Sequence, residues 1–118
     1  MGITNIGLQG TALAFGGSVS IPTHTAIGTG TTVFNVTGTA MDAESDRNAF
    51  TSTSYTGSEV TFISDYSSTE ISGTEFTEFG TFNSGTGGIM FQREVITGSE
   101  VFAGDRELQL QVAFRFDI

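Results

Sequence analysis

Glu78 and Arg93 sit among phenylalanines and other apolar residues in "TEFTEFGTFNSGTGGIMFQREV", Thr74 to Val95. A carboxylate and a guanidinium in such a stretch could either serve a ligand beside them or hold two strands in register. If Asn83 to Gly88 form a turn, Phe82 faces Ile89, Gly80 faces Phe91, Glu78 faces Arg93 and Phe76 faces Val95, all on one face of a hairpin. Gly80 then leaves room for the Phe91 ring, and Gly87 and Gly88 belong to the turn. A buried ion pair adds little net stability, but losing one partner strands the other at a cost of roughly 3–5 kcal/mol. A register lock is the reading the residues favour, and a ligand site would need a cavity beside the pair.

Other residues invite chemistry less strongly. His24 is the single histidine and the chain has no cysteine, so a histidine-rich or thiolate metal site is excluded. It lies in "PTHTA" with no G-x-S-x-G elbow elsewhere, which suits a polar turn residue better than a catalytic base. In "DAESDRN", Asp42, Glu44 and Asp46 resemble the opening of a calcium loop, yet Arg47 stands where the loop needs glycine and Thr53 where it needs glutamate. An internal Glu44–Arg47 contact, the second candidate pair, competes with that reading. "GTGTT" at Gly28 and "GTGG" at Gly85 lack the lysine of a phosphate loop, and positive φ in turns is their expected role. Asn35 in "NVT" forms a glycosylation sequon. Eight Glu and five Asp leave a paired-carboxylate hydrolase formally open, but no tryptophan is present to stack a sugar.

These residues must be positioned by β-structure. Sixteen glycines, one proline and many Thr, Val, Ile and Phe describe short strands between turns. In "LQLQVAFRFDI", Leu108, Leu110, Val112, Phe114, Phe116 and Ile118 alternate with Gln, Ala, Arg and Asp, a strand with one dry face. "EVTFISDY" repeats the pattern, while "NIGLQGTALAF", "SVSIPTHTAI", "TTVFNV" and "AFTSTSY" read as weaker strands. Only "TAMDAESDR" suggests a helix, capped by Thr39. The expectation is an all-β, two-layer antiparallel β-sandwich, jelly-roll-like, of about eight strands, with at most one short helix near residues 39–47 and a single domain over 1–118.

With a formal charge of −9, no lysine and only four arginines, the surface repels phosphate backbones and anionic membranes. Neither nucleic acid nor membrane is expected as a partner. The amino end lacks a charged n-region, myristoylation is not indicated at Ile6, and no run of about 18 apolar residues occurs. An acidic, lysine-free surface also suits a salt-rich environment, where carboxylate repulsion is screened.

Four segments taken together, "AIGTGTT", "TAMDAESDR", Val60 to Val95 and the closing alternating strand, resemble a small β-rich module of tailed-virus structural proteins. That module occurs in tail-fibre and baseplate components of phages and related archaeal viruses. A "GTG" turn there leads to a segment with a Glu and an Arg, matched by Glu44 and Arg47. An E-x-G-x-F-N, glycine-rich turn, M-x-x-R signature follows, matched by Glu78, Gly80, Phe82, Asn83, Gly87, Gly88, Met90 and Arg93. Phe79 departs from the smaller aliphatic residue usual in the family, and the missing lysines point toward a virus of a salt-loving archaeon. The resemblance implies a non-enzymatic virion protein without cofactor, a tail fibre, collar or baseplate adaptor that forms a homo-oligomer and binds other virion proteins. Its alternatives are a capsid decoration and a carbohydrate-binding module for host glycans, the latter resting on Tyr55 and Tyr66.

Overall fold

The computed structural model describes residues 2–96 and 101–116. Its strands are β1 (Gly2–Ile3), β2 (His24–Gly28), β3 (Glu44–Ala49), β4 (Ser52–Thr56), β5 (Glu59–Tyr66), β6 (Glu78–Phe82), β7 (Met90–Val95) and β8 (Leu108–Arg115). They form a five-stranded sheet in the order β1-β7-β6-β2-β3 and a three-stranded sheet in the order β4-β5-β8, each pairing antiparallel. Among the described residues the result is a β-sandwich of eight strands.

Alternation decides which side chains meet between the sheets. On β8, Val112 and Phe114 turn inward while Gln109, Gln111 and Ala113 face water. Phe62 and Tyr66 do the same on β5, with Ser64 buried between them. One interior cluster joins Ile27, Tyr66, Ile71 and Phe76, and a second joins Phe62, Phe91, Val112 and Phe114. Phe62 stacks on Phe50 at 4.4 Å between ring centroids and meets Phe114 edge-on at 5.8 Å. The Tyr66 hydroxyl reaches across to β2, donating to the Thr25 carbonyl at 2.8 Å and lying 2.7 Å from the Thr25 hydroxyl. Burial pushes the Tyr66 pKa up to about 12.

Four elements differ from the sequence expectation. "NIGLQGTALAF" is not a strand but an eleven-residue helix, α1 (Asn5–Phe15). Thr4 caps it by accepting from the Gly7 N–H at 2.9 Å and donates its own hydroxyl to the Met90 carbonyl at 2.6 Å. Gly7, Gly10, Thr11 and Ala14 recur at helical spacing, and these small residues form the face that packs on β7. A Cβ on Gly7 would overlap the Phe91 carbonyl, so glycine sets how closely the helix can approach.

The helix expected at residues 39–47 is absent, because Glu44 to Ala49 pair as β3 against β2. A second helix, α2 (Ser68–Ile71), forms instead, held by a capping box between Ser67 and Glu70. "TTVFNV" is likewise no strand and belongs to the connection from residue 29 to residue 43, which covers the outer face of the five-stranded sheet. Beneath that cover lies a third apolar cluster of Ala26, Phe82 and Met90, with Met41 packed on it.

Candidate functional site

Glu78 and Arg93 do form an ion pair, Nε to Oε1 at 2.8 Å, but not as opposite neighbours. The hairpin register is two residues away from the expected one: Glu78 stands opposite Val95 and Gly80 opposite Arg93. The two charges share a face because Arg93 opposes a residue two positions from Glu78, and they meet on the diagonal. One residue of the difference arises at the turn and one at a register shift between Thr81 and Phe82. Phe82 pairs with Met90 rather than Ile89, so Phe91 is left between two paired residues and turns into the sandwich interior. Gly80 therefore makes no space for Phe91. A Cβ there would come 2.7 Å from the Met41 sulfur, so Gly80 admits the covering loop. Phe76, expected opposite Val95 on the same face as the pair, joins the interior cluster with Ile27 instead.

Glu78 is fully buried and accepts from four donors. Oε2 takes the Gly30 N–H at 2.8 Å and the Ala43 N–H at 2.6 Å, while Oε1 takes the Asp42 N–H at 2.9 Å and Arg93 Nε. One carboxylate thus closes both ends of the covering loop. Burial raises its pKa, but the hydrogen bonds from Ala43, Arg93, Asp42 and Gly30 outweigh this and hold it below the usual glutamate value. Arg93 extends the clamp by donating from Nη1 to the Thr32 carbonyl at 3.0 Å. The glycines of "GTGTT" have a different purpose from the expected one. Neither Gly28 nor Gly30 has a positive φ, and a Cβ at either would fall within 3.0 Å of Glu78 Oε2. They are small so that the carboxylate can reach the backbone.

The second pair is built on the same outer face. Glu44 and Arg47 lie three apart on β3, where they would ordinarily point to opposite sides. A register shift between Ile27 and Gly28 sets Glu44 against Gly28 and Arg47 against Ala26, so both share the Glu78 face. Their contact is bidentate, Nη2 to Oε1 at 2.7 Å and Nε to Oε2 at 2.9 Å. Arg47 lies 3.7 Å above the Phe82 ring and donates through Nη1 to the carbonyls of Ser84 and Gly87, which fixes the hairpin turn. Asn83 closes that turn by accepting from the Ile89 N–H at 2.8 Å, and Gly87 and Gly88 have the positive φ expected of them.

A cavity of about 240 Å³ does lie beside Arg93, lined also by Thr32, Val33, Asn35, Met41 and Asp42. Arg93 Nη2 has no hydrogen-bond partner among the described residues, but that atom is itself closed off from solvent and so is not offered to a ligand. The acidic cluster does not converge as a calcium loop would. The Thr32 hydroxyl and N–H donate to Asp42 and hold its pKa down, Glu44 is taken by Arg47, and Asp46 is drawn toward Glu70. Burial, and then a proton shared with Glu70, raise the Asp46 pKa, while the Ser67 N–H lowers that of Glu70. Sequence spacing gave no sign of this carboxyl pair, since its members lie on β3 and α2.

His24 turns Nδ1 toward the Thr23 hydroxyl at 2.7 Å, its ring beside Gly85. Tyr66 is fully buried and cannot stack on a glycan, which leaves Tyr55 as the exposed tyrosine. Among the described residues no helix is long and apolar enough to cross a membrane. Comparison with family models, with curated proteins and with solved structures returned no match to the chain.

Proposed function

We propose that this chain is a non-enzymatic structural component of a tailed-virus particle, a tail-fibre, collar or baseplate adaptor that binds other virion proteins. The observation that carries the reading is the internal use of Glu78, whose two oxygens are occupied by four donors out of reach of solvent. A carboxylate so held is neither a general base nor a ligand for substrate. The other residues of the resemblance behave alike: Gly28, Gly30, Gly80 and Arg93 seat the covering loop, and Glu44, Arg47, Phe82, Asn83 and Gly87 seat the hairpin turn. The signature therefore describes a rigid scaffold, which suits a part repeated around a symmetry axis.

The test is fractionation of lysate from infected or producing cells, with mass spectrometry of purified particles, isolated tails and isolated heads. The chain should copurify with particles and partition with tails. Its absence from particles while it is abundant in the soluble fraction would reject the reading, and partition with heads would reassign it to a capsid decoration.

A further inference from the structure

Large apolar side chains are unusually placed on α1. The helix buries its small face, Gly7 and Gly10, and turns Leu8, Leu13 and Phe15 outward, with Phe15 88% exposed. For an isolated domain this is the wrong way round, since the large residues would gain most from burial. Beside the helix the two sheets leave an apolar cleft of about 280 Å³, lined among others by Phe15, Ile21, Phe62, Phe91, Phe114 and Phe116. Ile21 and Phe116 stand well exposed at this cleft.

The distribution of charge says what covers this surface. No Asp, Glu, Lys or Arg precedes Asp42, so the whole charge of −9 is carried by the remainder of the chain. Leu8, Leu13, Phe15 and Ile21, four of the ten large apolar residues exposed among the described residues, come from that uncharged segment and lie on α1 or at the cleft. A partner of opposite charge would be recruited through the carboxylates, and no carboxylate lines this cleft. Two identical acidic chains, by contrast, can meet closely only where neither presents a carboxylate. At the rim, Glu59 and Arg115 neutralise each other at 3.3 Å.

We propose that the outward face of α1 and the adjoining cleft are the surface through which two copies of this chain associate, each inserting Phe15 toward the cleft of the other. The contact is isologous, the same patch serving both copies. It deepens the virion reading by naming the self-assembly surface, and it stands or falls separately from particle incorporation.

Sedimentation equilibrium of the full chain, from low micromolar to millimolar concentration, tests it with Phe15→Asp and Leu8→Asp. Both positions are exposed, so unchanged circular dichroism and melting temperature should certify the fold of each variant. The wild type should dimerise, more tightly as sodium chloride is raised, because salt screens carboxylate repulsion without weakening apolar contact. Each variant should self-associate roughly 30-fold or more weakly, as expected for a central aromatic or aliphatic anchor. A monomeric wild type, or a dimer indifferent to both substitutions, overturns the proposal. Binding of the wild-type monomer to phosphatidylcholine vesicles, lost in Phe15→Asp, would overturn it in favour of a lipid surface. Copurification with particles despite a monomeric wild type would remove this inference and leave the virion reading intact.

Discussion

Replacing Glu78 by Gln keeps the shape of the side chain and removes its charge and one acceptor. Whichever way the amide is turned, its NH2 must face either the N–H groups of Gly30 and Ala43 or the pair formed by the Asp42 N–H and Arg93 Nε. Two of four hydrogen bonds become donor-to-donor contacts, and each buried donor left without an acceptor costs about 1–3 kcal/mol. Arg93, only 5% exposed, also loses its counter-charge. The loss should total roughly 3–5 kcal/mol, the range for breaking a buried pair, against a whole-domain stability of about 5–15 kcal/mol. At about 4 °C per kcal/mol for this length, melting should fall by roughly 12–20 °C. Urea unfolding followed by circular dichroism gives the number directly.

The pH dependence supplies an independent check on the sign. Glu78 has a lowered pKa in the folded chain, so its stabilisation is complete above the ordinary glutamate value of about 4.3 and disappears as pH falls through the lower folded value. The gap between wild type and Glu78→Gln should therefore close in acid. A Glu78→Gln protein within about 1 kcal/mol of wild type at neutral pH, or a gap that persists in acid, would refute the clamp.

Gly30→Ala places a methyl against Glu78 Oε2 and the Asp42 side chain, and should cost roughly 1–3 kcal/mol in the same urea titration. Arg47→Lys keeps the charge but loses the bidentate contact with Glu44 and the planar stack on Phe82, so limited proteolysis should cut residues 83–88 faster than in wild type. Asp46 has a raised folded pKa, so its contribution has the opposite sign to that of Glu78 and is lost as pH rises through the folded value. Asp46→Asn should therefore be more stable relative to wild type at pH 7 than at pH 4, by roughly 1 kcal/mol or less for a group still partly open to solvent.

Strands with one dry face could be read from the sequence because burial enforces a period of two, as on β5 and β8. Features governed by small residues could not. In "NIGLQGTALAF" the helical signal lies in Gly7, Gly10, Thr11 and Ala14, whereas the large residues that dominate a hydrophobicity pattern face outward. The "GTG" of Gly28 and Gly30 carries the same lesson, since its meaning is the approach of a carboxylate from a residue some fifty positions later. Likewise the pairing of Glu78 with Arg93 could be inferred from an apolar setting, but not its register. That depends on an unpaired Phe91, and Phe91 packs against a helix the pattern did not reveal.

The two register shifts, at Phe91 and near Glu44, act to one end. Each brings onto the outer face of the five-stranded sheet a charged side chain that simple alternation would have placed on the other face, Arg93 when counted from the Phe82–Met90 pair and Glu44 when counted from the Ala26–Arg47 pair. Arg93 then reaches Glu78 and the covering loop, and Glu44 reaches Arg47 and, through it, the hairpin turn. A sheet face that would otherwise need a third layer of apolar side chains is instead closed by fifteen residues of loop, hydrogen-bonded to one buried carboxylate. If that is what the charges are for, exchanging Glu78 and Arg93 together for Met and Leu should keep the sandwich core, since Ile27, Tyr66 and Phe114 are untouched, while amides of residues 29–43 lose their protection from hydrogen exchange. Equal loss of protection across β5 and β8 would mean that the loop and the core unfold as one, and the separation argued between them would be wrong.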